Sequence, residues 1–215
     1  MEHSTIFTDI YQREYWGSNE AADYRGSSGS GSSVHYNQDT YVPWLRGFLQ
    51  ENHITSVVDI GCGDFRCGPL IYDGLDIAYH GFDVYAPLVN SLSKRYSKYT
   101  FTTADCFKER HTLPTADLCI LKDVLQHWST AEIYTFLDNV IGAKKFRYIL
   151  VCNCAQQKKD NKDIKTGKQR QLSAAFLPLK QYRARVLFRY STKEVSVIEP
   201  VNEGFGHGSI GGMPE

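Results

Sequence analysis

Long apolar runs are missing from this chain: no stretch of its 215 residues approaches the ~20 consecutive apolar positions that span a bilayer. The start, Met1-Glu2-His3-Ser4-Thr5, has neither the basic nor the apolar region of a secretory leader. The chain is therefore expected to stay where it is made, in the cytoplasm, with no membrane partner. Paired cysteine motifs are missing too. Cys152-Asn153-Cys154 has no second matching pair, which argues against zinc. Cys106, Cys119, Cys152 and Cys154 lie in or at the ends of predicted strands and read as buried or site-lining free thiols of a reducing compartment. There is no internal repeat. What is present, 215 residues with a 42% hydrophobic share, suits one domain with a single buried core.

One further absence is informative. Val57-Val58-Asp59-Ile60-Gly61-Cys62-Gly63-Asp64 is an apolar strand running into a glycine turn, where Gly61 and Gly63 let the backbone bend sharply and approach a ligand. A dinucleotide fingerprint needs a third glycine at position 66, which is Arg66, and would avoid Asp59 and Asp64 beside a pyrophosphate. A cofactor with no phosphate and a cationic amino-acid end would use those carboxylates, and S-adenosylmethionine has that chemistry. Asp59, Gly61 and Gly63 are thus candidate cofactor contacts, with no metal ligand among them.

Three more predicted strands end in acids. Tyr79 to Val84 places Asp83, followed by Val84, about two dozen positions beyond Asp59, where a carboxylate accepts from ribose hydroxyls. Tyr99 to Phe107 brings Asp105 to an adenine amino group, with Cys106 and Phe107 covering the ring. Ala116 to Asp123 ends at Lys122, a further candidate cofactor contact, and Asp123, and leads into Val124-Leu125-Gln126-His127-Trp128. Helices are predicted over Asp39 to Asn52 and Thr130 to Ile141, and a buried strand over Tyr148 to Cys152. Strands alternating with helices give an α/β, doubly wound sheet with helices on both faces. Ala184 to Tyr190 and Glu194 to Glu199 alternate apolar with polar around Ser191-Thr192-Lys193 and suit a terminal antiparallel hairpin. The expected domain is 1–200, followed by a flexible Gly-rich tail at 201–215.

Residues 1–38 read as a lid. The small-residue segment Ser18 to Ser33 sits between aromatic anchors and a helix, so it can fold over a cofactor, with hydroxyls such as Ser32 available to its carboxylate. Trp16 or Tyr15 can face the sulfonium. Charge is uneven although the total is zero: residues 144–193 carry fourteen Lys or Arg against Asp160 and Asp163, while residues 1–143 carry ten bases and eighteen acids. A basic stretch after the fifth strand suits an anionic acceptor, such as a sugar on a nucleotide or lipid carrier, or an RNA, for which an aromatic-studded signature is lacking. His127 is the candidate general base because imidazole titrates near neutrality. Asp123, one helical turn earlier, is placed to orient His127, to hold the acceptor, or to be the base itself. Asn161, Asp163, Arg170 and Trp128 are candidate acceptor contacts.

These residues resemble the class I S-adenosylmethionine-dependent methyltransferases, and more narrowly the small ones found beside or fused to glycosyltransferases in glycan-building pathways. That group's W-G-x-x-E is matched by Trp16 to Glu20, its S-G-x-G-S by Ser28 to Ser32, its C-G-D-F by Cys62 to Phe65, its D-x-x-x-H by Asp123 to His127, and its N-x-D-I-x-T-G-x-x-R-x-L by Asn161 to Leu172. The resemblance covers roughly residues 11 to 179. The usual Ser after Glu20 is Ala21, extra residues separate Glu20 from Ser28, and a Pro-rich run is reduced to Phe176-Leu177-Pro178. It implies a Rossmann-like, seven-stranded fold and a sugar O-methyltransferase that converts S-adenosylmethionine to S-adenosylhomocysteine. The implied partners are a glycan or activated-sugar acceptor and a glycosyltransferase. The alternatives are an RNA or nucleotide methyltransferase, and a catalytically silent S-adenosylmethionine-binding partner of a glycosyltransferase.

Overall fold

In a computed structural model that describes residues 2–19, 23–157 and 159–200, seven strands form one sheet. They are β1 (Ser56–Ile60), β2 (Ala78–Asp83), β3 (Thr100–Thr103), β4 (Ala116–Lys122), β5 (Phe146–Cys154), β6 (Arg185–Tyr190) and β7 (Lys193–Ile198). The order is β3-β2-β1-β4-β5-β7-β6, parallel through β5 and antiparallel in the β7–β6 hairpin. The helices are α1 (His3–Gln12), α2 (Val34–Asn37), α3 (Tyr41–Glu51), α4 (Gly68–Tyr72), α5 (Ala86–Arg95) and α6 (Thr130–Gly142).

Alternate residues of the central strands supply two cores. Val57, Leu118, Ile120 and Leu150 pack with Leu45 and Leu49 of α3, Ile71 of α4, and Leu88 and Leu92 of α5. Val58, Ile60, Cys119, Leu121 and Ile149 face the other way, onto Ile133, Phe136, Leu137 and Val140 of α6. Those four positions recur at helical spacing and make one apolar stripe. Ser129 starts α6 with a full capping box, its hydroxyl accepting from the Glu132 N–H while the Glu132 carboxylate accepts from the Ser129 N–H.

The predicted elements are present, with shifted ends. The third strand stops at Thr103 because the chain then coils on itself: the Asp105 N–H donates to Glu109 and the Asp105 carboxylate accepts from the Lys108 N–H. Asp105 and Cys106 therefore sit in a turn beyond the strand. The hairpin turns at Ser191, whose φ is 48°. The register shifts between Val186 and Phe188, a bulge in the edge strand β6. The two sheet faces are covered unequally. Turns occupy 104–115 and a long loop occupies 155–178, so Leu113, Leu172 and Leu179 complete the core beside α6. The Gly-rich segment 201–215, together with Glu20 and Ala21, lies outside the described residues.

Phe136, fully buried, should cost about 3–5 kcal/mol when changed to Ala, read by urea denaturation. Leu70, 45% exposed on α4, should tolerate the same change within about 0.5 kcal/mol.

Candidate active site

The chain leaves β1 toward β2 and β3 on one side, then returns to lay β4 and β5 on the other. Such a reversal opens a crevice at the carboxyl ends of the strands, where ligands of open α/β sheets bind. Here it is a cavity of about 480 Å³. Gly61 and Gly63, with φ of 67° and 55°, turn the chain after β1. The turn is pinned to β2, since the N–H groups of Gly61 and Cys62 both donate to the Phe82 carbonyl at 2.8 and 3.0 Å. A Cβ at Gly61 would meet Val124 at 2.7 Å, and one at Gly63 would overlap the Ser28 hydroxyl.

The roof is the N-terminal segment. Phe7, Tyr11, Trp16 and Ser28 to Ser32 line the cavity. Asp64 locks this roof down. Its buried carboxylate accepts from the Tyr24 hydroxyl at 2.9 Å and the Ser28 N–H at 3.0 Å, while the Asp64 N–H donates to the Ser28 hydroxyl at 2.9 Å. At the far end α1 is fastened by His3, 3.0 Å from Glu132 and stacked on Phe107, and by the Ser4 N–H donating to Asp105.

Asp59, Gly61, Gly63, Asp83, Val84, Asp105, Cys106, Trp16, Ser32 and Lys122 all line the cavity. Burial pushes Asp59 up to about 7, against the Tyr79 hydroxyl donating at 2.8 Å and the nearby Lys122 ammonium. Asp83 is likewise raised by burial, to about 6, although its carboxylate accepts from the backbone N–H groups of Gly63 and Tyr85. Asp105 also holds protein, its two oxygens taking the N–H groups of Ser4 and Lys108.

His127 lies on a short 3₁₀ turn, Leu125–His127, with Trp16 at 5.1 Å between ring centroids. Its Nδ1 donates to the Lys168 carbonyl at 3.0 Å, a bond that fixes the neutral tautomer with the lone pair on Nε2. Burial pulls its pKa below the usual histidine value, outweighing the carbonyl's opposite pull. Asp123 does not share a helical face with it. Its backbone is left-handed, φ 61°, and its carboxylate lies between two ammonium groups, Lys122 at 2.9 Å and Lys193. Burial raises the Asp123 pKa, but these two cations together bring it below the ordinary carboxylate range. The two readings in which Asp123 orients His127 or serves as the base are therefore corrected: the Lys168 carbonyl holds the ring, and Asp123 is committed to its lysines.

Three of the four acceptor candidates lie away from the cavity. Among the described residues lining the cavity, Asn161, Asp163 and Arg170 do not appear. Asn161 bonds the backbone of Ser173, Phe176 and Leu177, Asp163 caps the Thr130 N–H at 2.7 Å, and buried Arg170 donates to the carbonyls of Trp128 and Lys162. They shape the 155–178 loop. Trp128 touches the cavity, but its buried ring packs on His3, Phe107 and Phe136. Of the cations between 144 and 193, Lys193 is the one described residue that lines the cavity. Its role, like those of His3, Tyr11, Ser28 and Asp64, was missed. Lys193 opens β7, a strand that alternates apolar with polar in sequence yet is buried throughout. Among the described residues no group of three or more His, Cys, Asp or Glu side chains is arranged for a metal, and no helix is long and apolar enough to cross a membrane.

A mostly parallel, seven-stranded sheet with an acid-lined crevice at its switch point defines the class I methyltransferase fold. Residues 76–191, more than half of the chain, match the O-methyltransferase domain, and the chain belongs to that family. Solved structures agree on the fold. Magnesium protoporphyrin IX methyltransferase of Synechocystis PCC 6803 with bound SAM superimposes with a TM-score of 0.61 at 15% identity, covering 92% of this chain and 96% of that one. Human N-acetylserotonin methyltransferase in complex with SAM gives a TM-score of 0.64 at 15% identity, covering 94% of this chain and 61% of that one. Mitomycin 7-O-methyltransferase gives 0.54 at 16% identity, over 80% and 62%. A comparison with curated proteins finds no match.

The raised carboxyl of Asp59 has a measurable consequence. The folded group keeps its proton to about pH 7 while the unfolded group releases it near 3.8, so its contribution to stability falls as pH rises across that window and then levels off. Asp59→Asn should therefore gain on the wild type, from near parity at pH 4 to roughly 1–3 kcal/mol at pH 8, in urea denaturation. A constant difference across that range would show that Asp59 is ionised in the fold.

Proposed function

We propose that this O-methyltransferase methylates a sugar hydroxyl during glycan synthesis, in the cytoplasm, on a glycan or activated sugar shared with a glycosyltransferase. The methyl donor is S-adenosylmethionine, and the cavity suits it in shape and charge. Two left-handed glycines let the turn after β1 pack against Val124 and Ser28 where any Cβ would intrude, and buried carboxylates line the crevice beside that turn. Asp59 would hold the donor's ammonium, Asp83 its ribose hydroxyls, and Val84, Asp105 and Cys106 its adenine. When bound, the donor supplies a methyl group already activated on a sulfonium.

The observation that carries a base-assisted reaction at oxygen is the fixed tautomer of His127. A hydroxyl must lose its proton as it is methylated, and a positioned base contributes typically 10²–10⁴-fold. His127 is kept neutral by burial and presents Nε2 as acceptor; the Gln126 amide lies 3.4 Å from that nitrogen. The half of the cavity above β4, β5 and β7 adds Gln126, Gln169, Thr192 and Lys193, with Trp16 and Tyr36 as aromatic surfaces. Hydrogen-bonding groups around flat apolar faces match a sugar ring, which carries hydroxyls at its rim and C–H groups on its faces. The glycan-pathway motifs support the same reading. RNA is weakened because the basic stretch contributes a single described side chain to the cavity.

A screen of glycosides, capped RNA and small phenols with labelled donor tests the acceptor class, with methylated glycoside as the expected product. His127→Ala should lower turnover about a hundredfold while leaving S-adenosylhomocysteine affinity nearly intact, and should abolish a rise in rate with pH as imidazole becomes neutral. Asp83→Ala should do the reverse in calorimetry, weakening S-adenosylhomocysteine about tenfold or more, since unpaired buried groups cost ~1–3 kcal/mol. Full turnover by His127→Ala would remove the base, and no turnover of any acceptor by the wild type would favour the silent binding partner.

A further inference from the structure

Lys122, Asp123 and Lys193 come from the end of β4 and the start of β7, on opposite sides of β5, and all three line the cavity. Asp123 divides its oxygens between the two ammonium groups, Oδ2 to Lys122 at 2.9 Å and Oδ1 to Lys193. Lys122 gives a second N–H to the Gly31 carbonyl at 2.9 Å, and Lys193 a second to the Cys154 sulfur at 3.3 Å. An ammonium has three N–H donors, so one remains on each lysine. The Lys122 and Lys193 side chains are only 16% and 5% exposed, and Asp123 is 17% exposed. Two cations against one anion give the trio itself a net charge of +1 in a place with little access to water, and Asp59, the further carboxyl near Lys122, is pushed by burial toward its neutral form. An uncompensated buried charge is costly, and its natural partner is an anion brought by the ligand. Roof residue Gly31 closes against the trio: a Cβ there would meet the Lys193 ammonium at 3.4 Å and the Asp123 carboxylate at 3.6 Å.

We infer that the Lys122–Asp123–Lys193 trio is a recognition site for a carboxylate of the bound ligands. One net positive charge matches a monoanion, and two spare N–H donors match its two oxygens. A phosphate dianion would leave charge unbalanced, and the trio offers neither a guanidinium fork nor a helix N-terminus to meet it. The site rests on the methyltransferase reading of the same cavity. Two carboxylates fit it: the amino-acid end of the donor, or an acidic sugar such as a uronic acid as acceptor.

Calorimetry separates these sources without relying on turnover. S-adenosylhomocysteine is compared with its decarboxylated amine analogue, and glucuronate with methyl glucoside on protein saturated with S-adenosylhomocysteine. The wild type should prefer the carboxylate by about tenfold in at least one pair, a difference of ~1.4 kcal/mol. Lys193→Met should erase that preference while leaving the decarboxylated analogue bound as in the wild type, which also reports an intact fold. Loss confined to the first pair assigns the donor's carboxylate, and loss confined to the second assigns the acceptor's. Lys193→Arg, which keeps the charge, should restore most of the preference. A wild type that shows no preference in either pair overturns the site, whatever the variants do. A preference that Lys193→Met leaves unchanged overturns it as well. If the wild type binds neither adenosine ligand, the donor assignment fails and the anion site with it; if it binds both but methylates no glycoside, only the acceptor reading fails.

Discussion

The Asp64 carboxylate is where the N-terminal roof meets the turn that leaves the sheet. Strand β1 delivers it through a glycine turn, so its position is set by the parallel core rather than by the roof it holds. Tyr24 and Ser28 bring their donors to it, and Ser28 passes the connection on to the Tyr11 hydroxyl at 3.0 Å. Tyr11 in turn stacks on Tyr85, the residue whose N–H helps fix Asp83. One buried hydrogen-bond network thus links α1, the Ser28–Ser32 loop, the turn after β1 and the end of β2. Buried networks of this kind stabilise only when every member is satisfied, which ties the shape of the cavity to the seating of the roof.

Electrostatically the cavity has two halves. Above β1 and β2, burial works against ionisation and raises both Asp59 and Asp83, and a ligand bearing positive charge would favour their ionised forms. Above β4, β5 and β7, paired cations pull the other way, and Asp123 stays ionised at the expense of its freedom to accept a proton. His127 stands near the boundary, uncharged. One cavity thus presents a carboxyl-rich end and a lysine-rich end on a single sheet edge.

Much of this arrangement could be read from the sequence. Strand ends carrying Asp59, Asp83 and Lys122 were legible because parallel strands are short apolar runs with abrupt polar ends, and the switch point follows from their order. Helix α6 was legible from its 3.6-residue stripe, while its Ser129–Glu132 cap emerged with the structure. The hydrogen-bond network of the roof was not legible, since Asp64 and Ser28 are separated by 36 positions and nothing local links them. Lys193 was hidden for the same reason: its partner Asp123 is 70 residues away, and a hairpin lysine ordinarily faces water. Asn161, Asp163 and Arg170 misled in the opposite direction. A motif of polar residues in a long loop reads as ligand contact, yet a loop packed against a core must satisfy its own backbone, and these side chains do that.

The left-handed backbone at Asp123 narrows what evolution can place there. Most side chains resist that conformation; glycine accepts it readily, and asparagine and aspartate tolerate it through their short polar side chains. Glycine would strand two lysines, and asparagine would leave them facing each other without a counter-charge. Backbone geometry and charge balance therefore select the same residue independently, so change at this position calls for compensating change at Lys122 or Lys193. The three positions form a unit of substitution drawn from two distant strands, and their joint drift among relatives would mark a shift in what the cavity admits.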